Sequence, residues 1–126
     1  MPTALQGPLM ASSRPELWRI TDRRTYQALR RQGRRARRGP LTVTWLPPTG
    51  GETTPPRAGF AIGRSVGGAV VRNRVRRRLR AALRELQAVG RLPAGSYLLG
   101  GTAELVDLPW AALVDLVEAT IAEARA

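Results

Sequence analysis

The 126-residue sequence contains no cysteine, no histidine and no lysine. Without cysteine there are no disulfides and no thiolate metal site. Without histidine, zinc chemistry and a histidine general base are both excluded. Carboxylates are scarce as well: nine in all, and only four of them (Glu16, Asp22, Glu52, Glu85) within residues 1–91. A metal-dependent nuclease needs such groups clustered, so catalysis by side chains of this chain is not expected. No apolar run approaches the roughly 18 residues of a membrane span. The first residues also lack the apolar segment that follows basic residues in a signal peptide. The expectation is a cytoplasmic protein with no membrane partner and no protein-bound cofactor.

What the chain has in abundance is arginine. All 21 basic residues are Arg, for a net charge of +12. A guanidinium is a planar fork of donors suited to phosphate contacts and to stacking on bases. A GC-rich coding sequence would produce the same absence of lysine, so the weight rests on the charge itself. That charge is segregated. Residues 1–91 hold 20 arginines against four carboxylates, +16, whereas residues 92–126 hold one against five, −4. A basic working surface backed by an acidic structural element is implied.

At this length one domain is expected. Residues 1–15 show no periodicity and read as a disordered leader, leaving 16–126 as the folded unit. A short helix is predicted over about 22–32, with Thr21 as N-cap, Asp22 in the first turn, Tyr26 and Leu29 on its apolar face and Gly33 as its stop. Arg34, Arg35, Arg37 and Arg38 read as a basic connector. Residues 41–46 alternate as a half-buried strand that ends at Pro47 and Pro48. Ala58–Ile62 reads as a second strand, able to pair antiparallel with the first. A basic helix covers about 68–88, Tyr97–Leu99 a central strand. A last helix is capped by Asp107, with Pro109 near its first turn and Leu113, Val114, Val117 and Ile121 buried. The order α-β-β-α-β-α makes an α+β layered fold with a small central sheet.

The basic helix carries most of the functional information. Val71, Val75, Leu79, Ala82, Leu83 and Leu86 fall within an arc of about 120° at 100° per residue. Seven arginines in the thirteen residues Arg72 to Arg84 sweep the rest. An ordinary solvated helix would mix charge signs to make i,i+4 pairs; here Glu85 alone offsets them, so the unpaired face suits a polyanion. Gly67-Gly68 before the helix makes a strand-to-helix turn whose free N–H groups are able to hold a phosphate. No Gly-Lys-Ser/Thr follows, so a nucleotide P-loop is not indicated. Tyr26 and Trp45 are candidates for stacking on single-stranded bases, although aromatics at such positions are more often core. Trp18 and Trp110 read as packing residues. RNA is the partner these features favour. A ribosomal or other structured-RNA-binding protein, a self-sufficient nuclease and a DNA-binding protein share parts of the pattern. The last lacks a helix-turn-helix pair or a dimerisation heptad.

The segment Arg72-Asn73-Arg74-Val75-Arg76-Arg77 resembles the Arg-Asn-Arg motif of the protein subunit of bacterial ribonuclease P. Gly59-Phe60-Ala61-Ile62, Gly67-x-Ala69-Val70, Arg80 and Glu85 fit the same block, and Tyr26-Gln27-Ala28-Leu29 with Gly33 is similar to that family's first helix. The likeness is strong over about residues 57–85 and weaker over about 17–124. It implies an α-β sandwich with a left-handed βαβ crossover around the basic helix, against the right-handed rule. It also implies an accessory subunit, itself monomeric, of a ribonucleoprotein that removes the 5′ leader of precursor tRNA. The ribonuclease P RNA would perform the Mg²⁺-dependent hydrolysis, with Mg²⁺ held mainly by RNA. Carried over by position, Arg64, Arg72, Asn73, Arg74, Arg76, Arg77 and Arg80 would face that RNA and help position metals. Tyr26 would line a leader cleft between the first helix and the sheet. The chain departs from the family's usual pattern at Ser65, Gly68 and Arg30, where a basic, a polar and an aromatic residue are common. Arg30 would replace the aromatic through charge or guanidinium stacking.

Overall fold

The computed structural model describes residues 17–48 and 55–126; the leader expected over residues 1–15 lies outside them. Along the chain run β1 (Trp18–Arg19), α1 (Arg23–Gln32), β2 (Arg34–Arg38), β3 (Leu41–Leu46), β4 (Arg57–Ala61), a 3₁₀ turn (Arg64–Val66), α2 (Ala69–Ala88), β5 (Ser96–Gly101), a second 3₁₀ turn (Ala103–Val106) and α3 (Trp110–Arg125). The expected α+β class and element order are present, with β1 and β2 added.

The five strands are ordered β1-β4-β5-β3-β2. The antiparallel pairing expected between residues 41–46 and 58–62 does not occur. β3 and β4 instead flank β5, β3 antiparallel and β4 parallel to it. Two facts account for this. The connection from β4 to β5 contains α2, so it returns the chain parallel to β4. Tyr97 and Leu99 are also fully buried, which only a central position allows.

Arg34–Arg38 is strand β2 rather than a connector, and it pairs antiparallel with β3 through the tight turn at Gly39 and Pro40. Gly39 has φ +55°, the left-handed conformation such a turn requires. Alternation is present in β2, but charge conceals it, because only Ala36 is both apolar and buried.

One face of the sheet, carrying Val43, Trp45, Ala58, Tyr97 and Leu99, packs against α2 through Val75, Leu79, Leu83 and Leu86. It also packs against α3 through Leu113, Val117 and Ile121. Each fully buried Leu here is worth roughly 1.5–3 kcal/mol. The other face is crossed by α1, which leaves part of it open. Two close approaches seat that helix. A Cβ on Gly59 would lie 2.4 Å from the Tyr26 hydroxyl, and one on Gly33 would lie 2.3 Å from the Leu29 carbonyl oxygen and 2.5 Å from Thr44 Cγ2. Gly33 has φ −66°, so close contact rather than a left-handed turn explains it.

Both predicted caps shift. Asp22, not Thr21, caps α1: its carboxylate accepts from the Thr25 backbone N–H at 2.9 Å. Pro109, not Asp107, precedes α3, its ψ of 150° holding the chain extended just before the first turn. Asp107 closes the second 3₁₀ turn, donating its N–H to the Glu104 carbonyl at 3.2 Å.

Candidate nucleic-acid interface

α2 enters from the sheet through a glycine turn. Gly67 has φ +149°, and a Cβ there would press on Val71 at 3.2 Å. Gly68 occupies the N-cap with no side-chain cap hydrogen bond. Arg64, in the preceding 3₁₀ turn, is exposed. The turn that the sequence marks therefore lies beside the basic face.

The arginines of α2 divide by what each one touches. Arg74, Arg77 and Arg84 are exposed, as is Asn73. Arg76 lies along the β4 side, donating to Asn73 Oδ1 at 2.9 Å and to the Ile62 carbonyl at 3.2 Å. Arg80 stacks over Phe60, 5.2 Å from the ring centre. Burial, with Arg84 and Arg19 nearby, pushes the Arg80 guanidinium down from its ordinary value, yet an arginine remains charged. Arg72 is half-buried, and its Nε has no hydrogen-bond partner among the described residues. Arg72 thus departs from the arc expected for the arginines: at 100° per residue it falls between Leu79 and Leu83, inside the apolar stripe, and the other six lie outside it.

Arg78 differs from all of these. It donates to the carbonyls of Leu105, Val106 and Leu108, the Val106 contact at 2.8 Å. It also lies 6.0 Å from the Trp110 ring centre. It ties α2 to the second 3₁₀ turn and to the start of α3, and so belongs to the structure rather than to the open face. Helical phase carried the signal, since Arg78 falls only about 20° beyond Val71 at the edge of the stripe. Glu85 pairs with none of the arginines in the described contacts; it accepts from Trp110 Nε1 at 2.9 Å.

On the face of the sheet away from α2, the open part of the sheet and α1 form a cleft of about 420 Å³, lined by Leu29, Arg30, Gly33, Arg35, Thr42, Thr44, Ala61, Leu98, Gly100 and Gly101. A second groove of about 510 Å³ on α1 is lined by Thr21, Arg23, Tyr26, Gln27 and Arg30. Arg30 belongs to both. Among the described residues no carboxylate lines either one. Tyr26 is half-buried against Gly59, its hydroxyl 3.4 Å from the Ile20 carbonyl. Trp45 is not available for stacking: it is buried, donates Nε1 to the Ala94 carbonyl at 3.0 Å and lies under Arg125, 5.1 Å away. Arg57 is a clamp that the sequence did not reveal. Its guanidinium reaches Thr25 Oγ1 and Ser96 Oγ, each at 3.3 Å, and Asp22 at 3.6 Å, tying the start of α1 to the sheet.

The sequence-predicted residues thus fall into two groups, the α2 flank with Arg64 and the α1 side, where Arg30 lines both the cleft and the groove and Tyr26 the groove alone. Among the described residues there is no group of three or more carboxylates able to hold a metal ion. Nor is any helix among them long and apolar enough to cross a membrane.

The ribonuclease P family profile matches residues 15–125. A ribonuclease P protein component from Thermobifida fusca is 43% identical over 105 residues, covering 79% of this chain and 67% of that protein. One from Symbiobacterium thermophilum is 38% identical over 102 residues, covering 80% and 85%. Among solved structures, the ribonuclease P protein of Staphylococcus aureus superposes with a TM-score of 0.70 at 17% identity, over 86% of this chain and 95% of that one. That of Thermotoga maritima gives 0.64 at 18%, over 83% and 92%.

Proposed function

The chain belongs to the ribonuclease P protein family, and on that premise we propose how its surfaces serve the ribonucleoprotein. As a ribonuclease P protein subunit its partner is the ribonuclease P RNA. We assign that contact to the α2 flank and its turn: Arg64, Arg72, Asn73, Arg74, Arg76, Arg77 and Arg80. We assign the 5′ leader of precursor tRNA to the cleft on the sheet and the groove on α1, with Arg30 at the wall of both and Tyr26 in the groove. The observation that carries this reading is an exposed arginine face on a rigid helix together with a cleft on the sheet lined by Arg30 and Arg35 and, among the described residues, by no carboxylate. Folded RNA is bound through phosphates and shape, a single strand through a basic groove.

The protein's donors here are guanidinium groups, and the Asn73 side-chain oxygen is already engaged by Arg76. Such a set does not fit a resident metal. The Mg²⁺ of the reaction is therefore read as held by RNA, which also performs the hydrolysis of the phosphodiester bond. The protein binds, orients and neutralises phosphate repulsion where the two RNAs meet.

The test is cleavage of precursor tRNA at low Mg²⁺ by a bacterial ribonuclease P RNA with and without this protein. Strong stimulation is expected, with no cleavage by protein alone. Tight RNA binding without stimulation would reduce the role to general RNA binding, and cleavage by protein alone would overturn the assignment of hydrolysis to RNA.

A further inference from the structure

The basic run Arg34–Arg38 is not absorbed by that reading, and strand geometry divides it in two. Arg34 and Arg38 fall on the side of α3. There Arg38 meets Glu123 at 3.1 Å and Arg34 donates to the Ala126 carbonyl. Arg35 and Arg37 fall on the opposite face, across from Thr44 and Thr42, and both are exposed. Among the described residues neither has an ion pair. Arg35 lines the cleft together with Arg30, and among the described residues no carboxylate joins them there. An edge strand does need charge to deter pairing with other sheets. That need is met by charge on either face, so it does not explain why Arg38 has a carboxylate partner while Arg35 and Arg37, among the described residues, have none.

We infer that Arg35 and Arg37 hold phosphates of a single RNA strand and carry it from the α1 cleft out across the edge strand β2. This rests on the leader-cleft reading above and adds its exit path. Residues i and i+2 on one face of a strand are about 6.6–6.8 Å apart, a spacing that successive phosphates of an extended strand can match. The floor between them is Thr42, Thr44 and Gly100, with hydroxyls and bare backbone but no aromatic ring. Bases therefore find no stacking platform on this stretch, and recognition there is by charge, indifferent to sequence.

The experiment uses the holoenzyme assembled with a bacterial ribonuclease P RNA. Affinity for precursor tRNA is measured over a series of leader lengths for wild type, R35A/R37A and R35K/R37K. Wild-type affinity is expected to rise with leader length to a plateau. The alanine pair should lose about tenfold at the plateau at low salt, as expected for two exposed ion pairs, and should level off at a shorter leader. Its salt slope should be shallower by about 1.4. Affinity for mature tRNA and for the RNA subunit should not change, and the lysine pair should recover most of the loss. If the alanine pair matches wild type at every leader length, the exit path is wrong while the cleft reading stands. An equal loss with mature tRNA would assign the two arginines to the tRNA body and overturn the inference. If wild type shows no dependence on leader length, the cleft reading itself fails and the exit path with it.

Discussion

Arg78 and Arg77 are neighbours in sequence with opposite roles, and the difference arises from about 100° of helical rotation. Arg78 turns toward the second 3₁₀ turn, where it satisfies three backbone carbonyls that would otherwise lack a donor. Arg77 turns to solvent. Removing a charged donor from partly buried acceptors costs more than removing a solvated one. Arg78→Ala should therefore lower unfolding free energy by about 2 kcal/mol in urea titration. Arg74→Ala and Arg77→Ala should stay within about 0.5 kcal/mol of wild type while weakening assembly with the RNA subunit. If either of the latter unfolds instead, its assignment to the open face is wrong. At this scale the apolar stripe was legible, and the phase of Arg78 at its border was readable too. The Arg57 clamp was not, because its partners Asp22, Thr25 and Ser96 lie far apart in sequence and meet only when α1 crosses the sheet.

Helix α1 forms the wall of the cleft, and its seating depends on its first turn. The Asp22 carboxylate accepts from the Thr25 backbone and hydroxyl, contacts that hold its pKa below the usual carboxylate value, with Arg57 adding a smaller push in the same direction. A depressed carboxylate stabilises the fold above its unfolded pKa and loses that contribution as pH falls through the folded value. The wild-type Tm should accordingly decline as pH drops below about 4. Asp22→Ala should have a lower Tm at neutral pH and a smaller part of that decline. An identical pH profile in the variant would show that the cap does not titrate with folding. Among the elements, α1, β3, β4, α2, β5 and α3 were legible because pattern and punctuation agree in each. β2 was missed because alternation is visible only where apolar and polar residues alternate, and four of its five positions are arginine. β1 is two residues long, too short to carry any pattern. The neighbours of β5 were also out of reach, since pairing is set by the crossover through α2 and not by strand composition.

Across the whole molecule the segregation of charge becomes a segregation of surfaces. The acidic C-terminal region lies at the back, where Glu123 pairs with Arg38 and Glu118 with Arg91, while among the described residues the arginines of the α2 flank and the cleft have no carboxylate partner. Salt acts differently on the two. The ion pairs at the back are exposed and contribute little to stability, so the fold should tolerate salt well. On the proposed reading the front binds by displacing counterions from phosphates. If Arg64, Arg72, Arg74 and Arg77 each neutralise one phosphate of the RNA subunit, log K against log salt should fall with a slope of about −2.8 to −3.6. Arg77→Ala should flatten that slope by about 0.7–0.9 and leave the contacts of the other three unchanged. The measurement is a titration of the RNA subunit with protein from 50 mM to 300 mM monovalent salt, beside thermal melts of the protein alone over the same range. A flat binding response with a salt-sensitive melt would reverse the assignment, because the arginines would then be engaged within the fold and not by RNA.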